Sequence, residues 1–340
     1  GAPLSSGRPP SSRACAKCFV ACARWMRAAF VALCFAAVAP GIAGLAMGGE
    51  RYFATRVALV TGANKGIGLA IAKRCVADHD DVEVILACRS KARGDAAAAS
   101  LASPRVSVVE LDSTSDASVA AAAAEVAKRH GDAPLYGVVN NAGIAAGTVA
   151  EILETNVRGP IRVDAAFLPL LADGGRIVEI SSGAAPTCVV NAPPERQKFF
   201  TDPTRDGIDA LVEEALAAPD LAALGLGASR GGYGLSKALL NCHTICLARE
   251  HPALKINACT PGLVNTDLLV TAAPWFLPSF LVPILATRAM KAKTPDEGTR
   301  APLALLFDDL EGNGRFYGSD AKRSPLDKPR DPEKDAPYVE

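Results

Sequence analysis

The chain has 340 residues, 49% of them apolar, so it is long enough to bury one large core. Its formal net charge is zero, which leaves no basic footprint for nucleic acid. Five of the 36 basic residues stand in residues 1–49, where there is no acidic one, so the remainder carries 31 against 36.

Residues 1–50 read as a leader. Gly1 to Arg13 is rich in Ser, Pro and Gly and is expected to be disordered. Ala28 to Gly48 is uncharged and mostly apolar, follows basic residues, and has about the length that spans a bilayer as a helix. Pro40, Gly41 and Gly44 weaken that helix. A signal anchor, a cleaved signal peptide and an organelle transit segment all fit, the anchor or an interfacial segment being preferred. Localisation is thus expected to be membrane-associated or organelle-targeted. Cys15 and Cys18 have no second pair at ligand spacing. The cysteines beyond the leader read as small buried hydrophobes in a reducing compartment. The four histidines show no ligand spacing, and no metal is expected.

From Val57 the chain alternates apolar runs with helical periodicity. Strands are expected at Val57–Val60, Val82–Ala87, Val106–Leu111, Leu135–Asn140, Arg176–Ile180, Leu254–Ala258 and Gly314–Gly318. Helices are expected near 115–129, 149–171, 209–218 and 233–250. This pattern predicts an α/β fold: one Rossmann-type, doubly wound parallel sheet of about seven strands with helices on both faces, as a single domain over 51–325. A charged tail, 326–340, is expected to be disordered.

The first strand runs into Thr61-Gly62-Ala63-Asn64-Lys65-Gly66-Ile67-Gly68 and then a helix. A pyrophosphate approaches backbone N–H groups at such a helix start, where a Cβ would block it. The spacing is G-x-x-x-G-x-G, and a plain β-to-α turn is the competing reading. After the second strand, where an enzyme selecting NAD carries Asp or Glu, stand Cys88-Arg89-Ser90. A guanidinium there suits a 2′-phosphate, and Lys65 adds a second cation, so NADP(H) is the expected cofactor; solvated loop charges are the alternative. Asp112, ending the third strand, suits either the adenine amino group or a helix cap. Asn140-Asn141-Ala142-Gly143 ends the fourth strand and suits a cofactor edge or an Asn/Gly turn.

Tyr233 and Lys237 lie four apart at a helix start, on one face. A nearby ammonium favours the phenolate and brings the phenol toward working range, and the same Lys can bond the nicotinamide ribose. Ser182 ends the fifth strand and offers a hydroxyl to a carbonyl. It is not in a G-x-S-x-G elbow, which argues against a hydrolase.

These segments in this order resemble the short-chain dehydrogenase/reductase family, from about Arg56 to Asp320. The matching pieces are TGANKGIG (61–68), NNAG (140–143), ISS (180–182), YGLSK (233–237) and PGLVNTD (261–267). The resemblance implies catalytic roles for Ser182, Tyr233, Lys237 and Asn156, with Tyr233 protonating a carbonyl oxygen as hydride arrives and Lys237 and Asn156 holding a proton path. It implies cofactor contacts at Pro261, Gly262, Val264 and Thr266. The turn and the stretch of about 50 residues between Ser182 and Tyr233 are most similar to NADPH-dependent carbonyl reductases. That insertion implies a monomer. Asn140 and Asn156 are closer together than the family pattern, so the helix carrying Asn156 is expected to start late. Ala272–Ala286 is strongly apolar and resembles the lid of membrane-bound retinol dehydrogenase-like members, which implies a hydrophobic carbonyl substrate or membrane contact. A retinol dehydrogenase-like enzyme and a non-catalytic dinucleotide-binding regulator are the rival functions.

Overall fold

The computed structural model describes Gly1 and residues 55–339 apart from 132–133, 272–280, 290 and 333. The chain divides into two compact units, Gly1–Tyr52 and Phe53–Glu340, and the fold below is that of the second. The leader's apolar stretch and most of the apolar segment 272–286 lie outside the described residues. Among the described residues no helix is long and apolar enough to cross a membrane.

Seven parallel strands form one sheet in the order β3-β2-β1-β4-β5-β6-β7. They are β1 Arg56–Thr61, β2 Val82–Cys88, β3 Val106–Glu110, β4 Leu135–Asn140, β5 Leu171–Ile180, β6 Lys255–Cys259 and β7 Phe316–Tyr317. The continuous apolar runs follow from burial on both faces. Along β1, Ala58 and Val60 face one core cluster with Ile71, Leu86 and Leu305, while Val57 and Leu59 face another with Ile85, Val119 and Phe167. Leu59 is fully buried, so its truncation to Ala costs about 2–5 kcal/mol.

The connecting helices are α1 Gly66–Asp78, α2 Lys91–Leu101, α3 Asp116–His130, α4 Val149–Leu153, α5 Gly159–Phe167, α6 Ala184–Val190, α7 Pro194–Thr201, α8 Arg205–Ala217, α9 Tyr233–Glu250, α10 Asp267–Thr271, α11 Leu281–Ala289 and α12 Arg300–Phe307. The strand order reverses between β1 and β4, which opens a crevice at their carboxyl ends.

Two elements differ from the periodicity reading. The helix expected over 149–171 is broken: α4 passes through a π-helical turn, Glu154–Arg158, into α5, and a 3-10 turn ends it at Leu170. Thr148 and Glu151 form a full capping box, which starts this helix late. Strand β5 begins at Leu171 rather than Arg176, but its first half is irregular. The register slips between the pairs Leu135–Leu171 and Gly137–Arg176, with Gly174 at φ +71°.

The insertion folds as α7 and α8 against α9. Phe200, Ile208, Leu211 and Val212 pack with Leu235, Leu239 and Cys242, so that face of α9 is covered within the chain. The tail read as disordered includes Arg330, whose guanidinium bonds both carboxylate oxygens of Asp320 at 2.6 and 3.0 Å. Only 4% of that Arg side chain is exposed, so the pair holds this part of the tail against the domain.

Candidate active site

The turn after β1 is shaped by what a side chain would strike. Gly62 has φ +64°, and a Cβ on it would stand 3.0 Å from Ala142 Cα. A Cβ on Gly68 would strike the amide nitrogen of Asn141. The turn is then tied to the end of β4. Thr61 Oγ1 accepts from the N–H groups of Asn141 and Ala142, both at 3.0 Å. Asn141 Nδ2 donates to Thr61 O at 2.8 Å. Thr61, Gly68 and Asn141 thus build the turn, and Thr61, Gly62, Asn64, Lys65, Gly66, Ile67 and Asn141 line the cavity it borders.

That cavity is about 770 Å³ and runs along the crevice. Arg89, Arg93, Asp112 and Thr114 line one end; Ala142, Gly143, Ile144 and Thr266 line it further along. Its volume, its glycine-shaped wall and its two guanidinium groups fit a phosphorylated dinucleotide. Arg93, in the first turn of the Ser90-capped α2, lines the cavity beside Arg89. Lys91 pairs instead with Asp95 at 2.9 Å. Lys65 reaches over to Asp267 at 2.7 Å, so this cation, expected at the 2′-phosphate, is engaged across the cavity rim. Asp112 serves its local turn as well, accepting from Thr114 N–H at 3.0 Å and Oγ1–H at 2.8 Å; the cap of α3 is Ser115.

Other expected cofactor residues stand elsewhere. Asn140 is 2% exposed and its amide donates inward to Asp164 and Glu179, so its side chain is turned away from the cavity. Pro261 and Val264 are buried, and Gly262, at φ +87°, turns the chain against Ser319. The wall is made instead by the next residues, Asn265 to Leu268. The turn at Gly262 and the backbone pairing of Leu263 and Asn265 with Lys293 fix which part of PGLVNTD reaches the crevice, which no local periodicity reveals.

The catalytic candidates converge beside Gly143. A Cβ there would stand 3.0 Å from Asn156 Oδ1 and 3.6 Å from Lys237 Nζ. Asn156, buried in the π turn, accepts from Ile144 N–H at 2.9 Å and donates to Ile144 O at 2.8 Å and Ser236 Oγ at 3.0 Å. The late helix start and the π turn together bring it into place despite its short separation from Asn140. Lys237 Nζ donates to Ile180 O at 2.7 Å and lies 5.9 Å from the Tyr233 ring centre. Arg230 at φ +51° and Gly232 at φ +100° reverse the chain just before Tyr233 opens α9.

The electrostatics differ from the expectation of a phenol acidified by Lys237. Burial raises the Tyr233 pKa, and a hydrogen bond to Ser182 and the Arg230 charge pull only partly against it. Burial also lowers Lys237, to about 8, with Glu179 opposing. The ammonium is satisfied by a strand carbonyl, so it does not single out the phenolate. Tyr233 is therefore a protonated phenol at neutral pH, the form that can donate. Ser182, Tyr233 and Lys237 are not part of the cavity lining; Lys237 Nζ approaches it at Gly143.

A glycine-cradled crevice at a topological switch point, with Asn156 and Lys237 set beside Gly143 in its wall, fits a dinucleotide-binding oxidoreductase class. The chain belongs to the short-chain dehydrogenase/reductase family: residues 56–193 match the short chain dehydrogenase model. It is similar to carbonyl reductase (NADPH) 1 of Macaca fascicularis, 33% identical over 77% of this chain and 95% of that protein. It is similar to short-chain dehydrogenase/reductase 1 of Saponaria officinalis, 32% identical over 77% of this chain and 93% of that one. Among solved structures, salutaridine reductase from Papaver somniferum matches with a TM-score of 0.64 at 26% identity, covering 77% of this chain and 99% of that one.

Proposed function

We propose that this protein is an NADPH-dependent reductase that converts an aldehyde, ketone or quinone to an alcohol. The observation that carries the reading is that Tyr233 and Lys237 share one helix turn, with Lys237 Nζ 5.9 Å from the Tyr233 ring centre, and that Lys237 and Asn156 converge on Gly143 in the wall of the glycine-cradled cavity. Relatives named for NADPH-dependent carbonyl reduction support it.

NADPH, when bound, supplies the hydride. The backbone of 62–68 would hold its pyrophosphate, Arg89 and Arg93 its 2′-phosphate, and Lys237 the nicotinamide ribose. Ser182 positions the substrate carbonyl by donating to its oxygen. Tyr233 gives its phenolic proton to that oxygen as the alcohol forms. Lys237, with Asn156 beside it, restores the proton.

The substrate is proposed to be hydrophobic. Within α11, which follows the 265–271 wall of the cavity, Ile284 and Leu285 are exposed while Val282 and Ala286 are buried. The same feature favours, as second reading, action on lipophilic alcohols in the manner of retinol dehydrogenase-like members. A monomer is proposed because α7 and α8 already cover α9.

NADPH absorbance followed against aldehydes, quinones and retinal, with NADH in parallel, tests the reading. Turnover with NADPH at least tenfold more efficient than with NADH is expected. Tight NADPH binding without turnover of any carbonyl or alcohol would instead mark a regulator.

A further inference from the structure

Behind the catalytic residues lies a second polar cluster that the reaction above does not use. Asn140, Asp164, Glu179 and His243 are each no more than 2% exposed. Each shares a chain segment with a residue of the site. Asn140 precedes Gly143 at the end of β4, and Asp164 follows Asn156 by about two helical turns. Glu179 precedes Ser182 on β5, and His243 follows Lys237 on α9.

The hydrogens of this cluster can be assigned. Arg205, from α8, contacts His243 Nδ1, and a guanidinium only donates, so Nδ1 accepts. His243 Nε2 then carries the hydrogen and donates to Asp164 Oδ2 at 2.7 Å. Asn140 Nδ2 donates to Asp164 Oδ1 at 2.7 Å and Glu179 Oε1 at 2.8 Å. Glu179 Oε2 has no hydrogen-bond partner among the described residues. Two ionised carboxylates cannot share so dry a place with one guanidinium. Burial raises both acids, Asp164 to about 7 and Glu179 well above its usual range, and holds His243 neutral at about 4. The other titratable groups facing the cluster are Lys237 on α9, the Cys259 thiol on β6, and Arg205, itself held at the surface by Glu250.

We propose that Asn140, Asp164, Glu179 and His243 are positioning residues: the Asn140 amide ties the two carboxyl groups together, His243 donates to Asp164, Glu179 stands as a neutral acid, and the network locks β4, β5, α5 and α9 in the arrangement where Asn156, Ser182, Tyr233 and Lys237 meet. Its consequence for rate rests on the enzymatic reading above; its consequence for rigidity does not. The three acid and imidazole groups approach closely enough to hold a metal ion. The Asn140 N–H groups, however, already occupy one oxygen of each carboxylate and would repel a cation there.

The test compares Glu179→Gln, Glu179→Ala and Asp164→Asn in the full chain. Gln keeps the shape and the donor of a neutral acid, so its kcat should stay within about twofold of the parent with an unchanged pH profile. Glu179→Ala and Asp164→Asn should lose about tenfold or more in kcat with NADPH affinity nearly unchanged. Independently of activity, amide exchange at 181–183 and 233–237 should quicken in the Ala variant and not in the Gln variant. Gln as damaging as Ala, with a shifted alkaline limb, would mean that Glu179 works ionised and would overturn the proposal. Lower thermal stability in Ala and Asn with parental kcat and exchange would leave only core packing. A stoichiometric divalent ion in the purified protein would make the cluster a metal site instead. If no carbonyl is reduced at all, the enzymatic reading fails while the exchange pattern still decides the network.

Discussion

At the phosphate end of the crevice the working parts are backbone N–H groups and missing side chains. At the proposed catalytic end they are four side chains delivered by the π turn, the end of β5 and α9. The first end is written in one run of eight residues, and its partner is another short run, Asn141–Ala142. The second has no such economy: moving any one element by an ångström separates groups that must pass a proton. A turn tolerates distant change and fails abruptly when a Cβ is added. A convergent site fails gradually with its supports.

Substitutions break this contrast in order of size. Tyr233→Phe removes the proposed acid while leaving the turn untouched. Reduction should slow by about a hundredfold to ten-thousandfold with NADPH binding retained, as steady-state rates and cofactor fluorescence titration would report. Gly62→Ala attacks the other end. It forces a side chain into the left-handed region at a cost of about 1–2 kcal/mol, besides the contact with Ala142, so denaturation midpoint and NADPH affinity should fall together. An unchanged affinity would mean that the turn does not cradle the cofactor.

Lys237 sharpens the comparison through pH. Its burial-lowered value of about 8 means that the free enzyme loses the ammonium as pH rises through 8, so kcat/KM for NADPH should decline above that point. Lys237→Arg, slower overall, should lack this limb because a guanidinium stays charged. The sign for stability is opposite: between about 8 and 10.5 the native state binds fewer protons at this group than the unfolded chain, so this contribution rises with pH. Smallest of all is Lys65→Ala. Its pair with Asp267 is formed by side chains 62% and 73% exposed, so denaturant melts should change by less than about 1 kcal/mol.

Much of the fold was legible before any coordinates. The seven strands and their order of use follow from apolar runs that are continuous because both faces are covered. The glycine turn after β1, Ser182 just past β5 and Tyr233 and Lys237 on the first turn of α9 stand where local patterns put them, since each lies within a few residues of the chain. What misled were residues whose partners come from far away. Asn140 looked like a cofactor residue beside Ala142 and Gly143, yet Asp164 and Glu179, from other elements, turn its amide inward. Lys65, read as a phosphate cation or a solvated loop charge, lines the cavity, and α10 brings Asp267 to it at 2.7 Å.

The sequence by itself determined the sheet, the glycine turn and the pairing of Tyr233 with Lys237 on one helix face, because strand period, φ > 0 glycines and i, i+4 spacing are local properties. Only the tertiary structure decided the protonation of that acid, the place of Asn156 and the buried carboxyl pair. Those depend on how much water is removed and which charges are left facing one another, and neither is defined until distant segments pack.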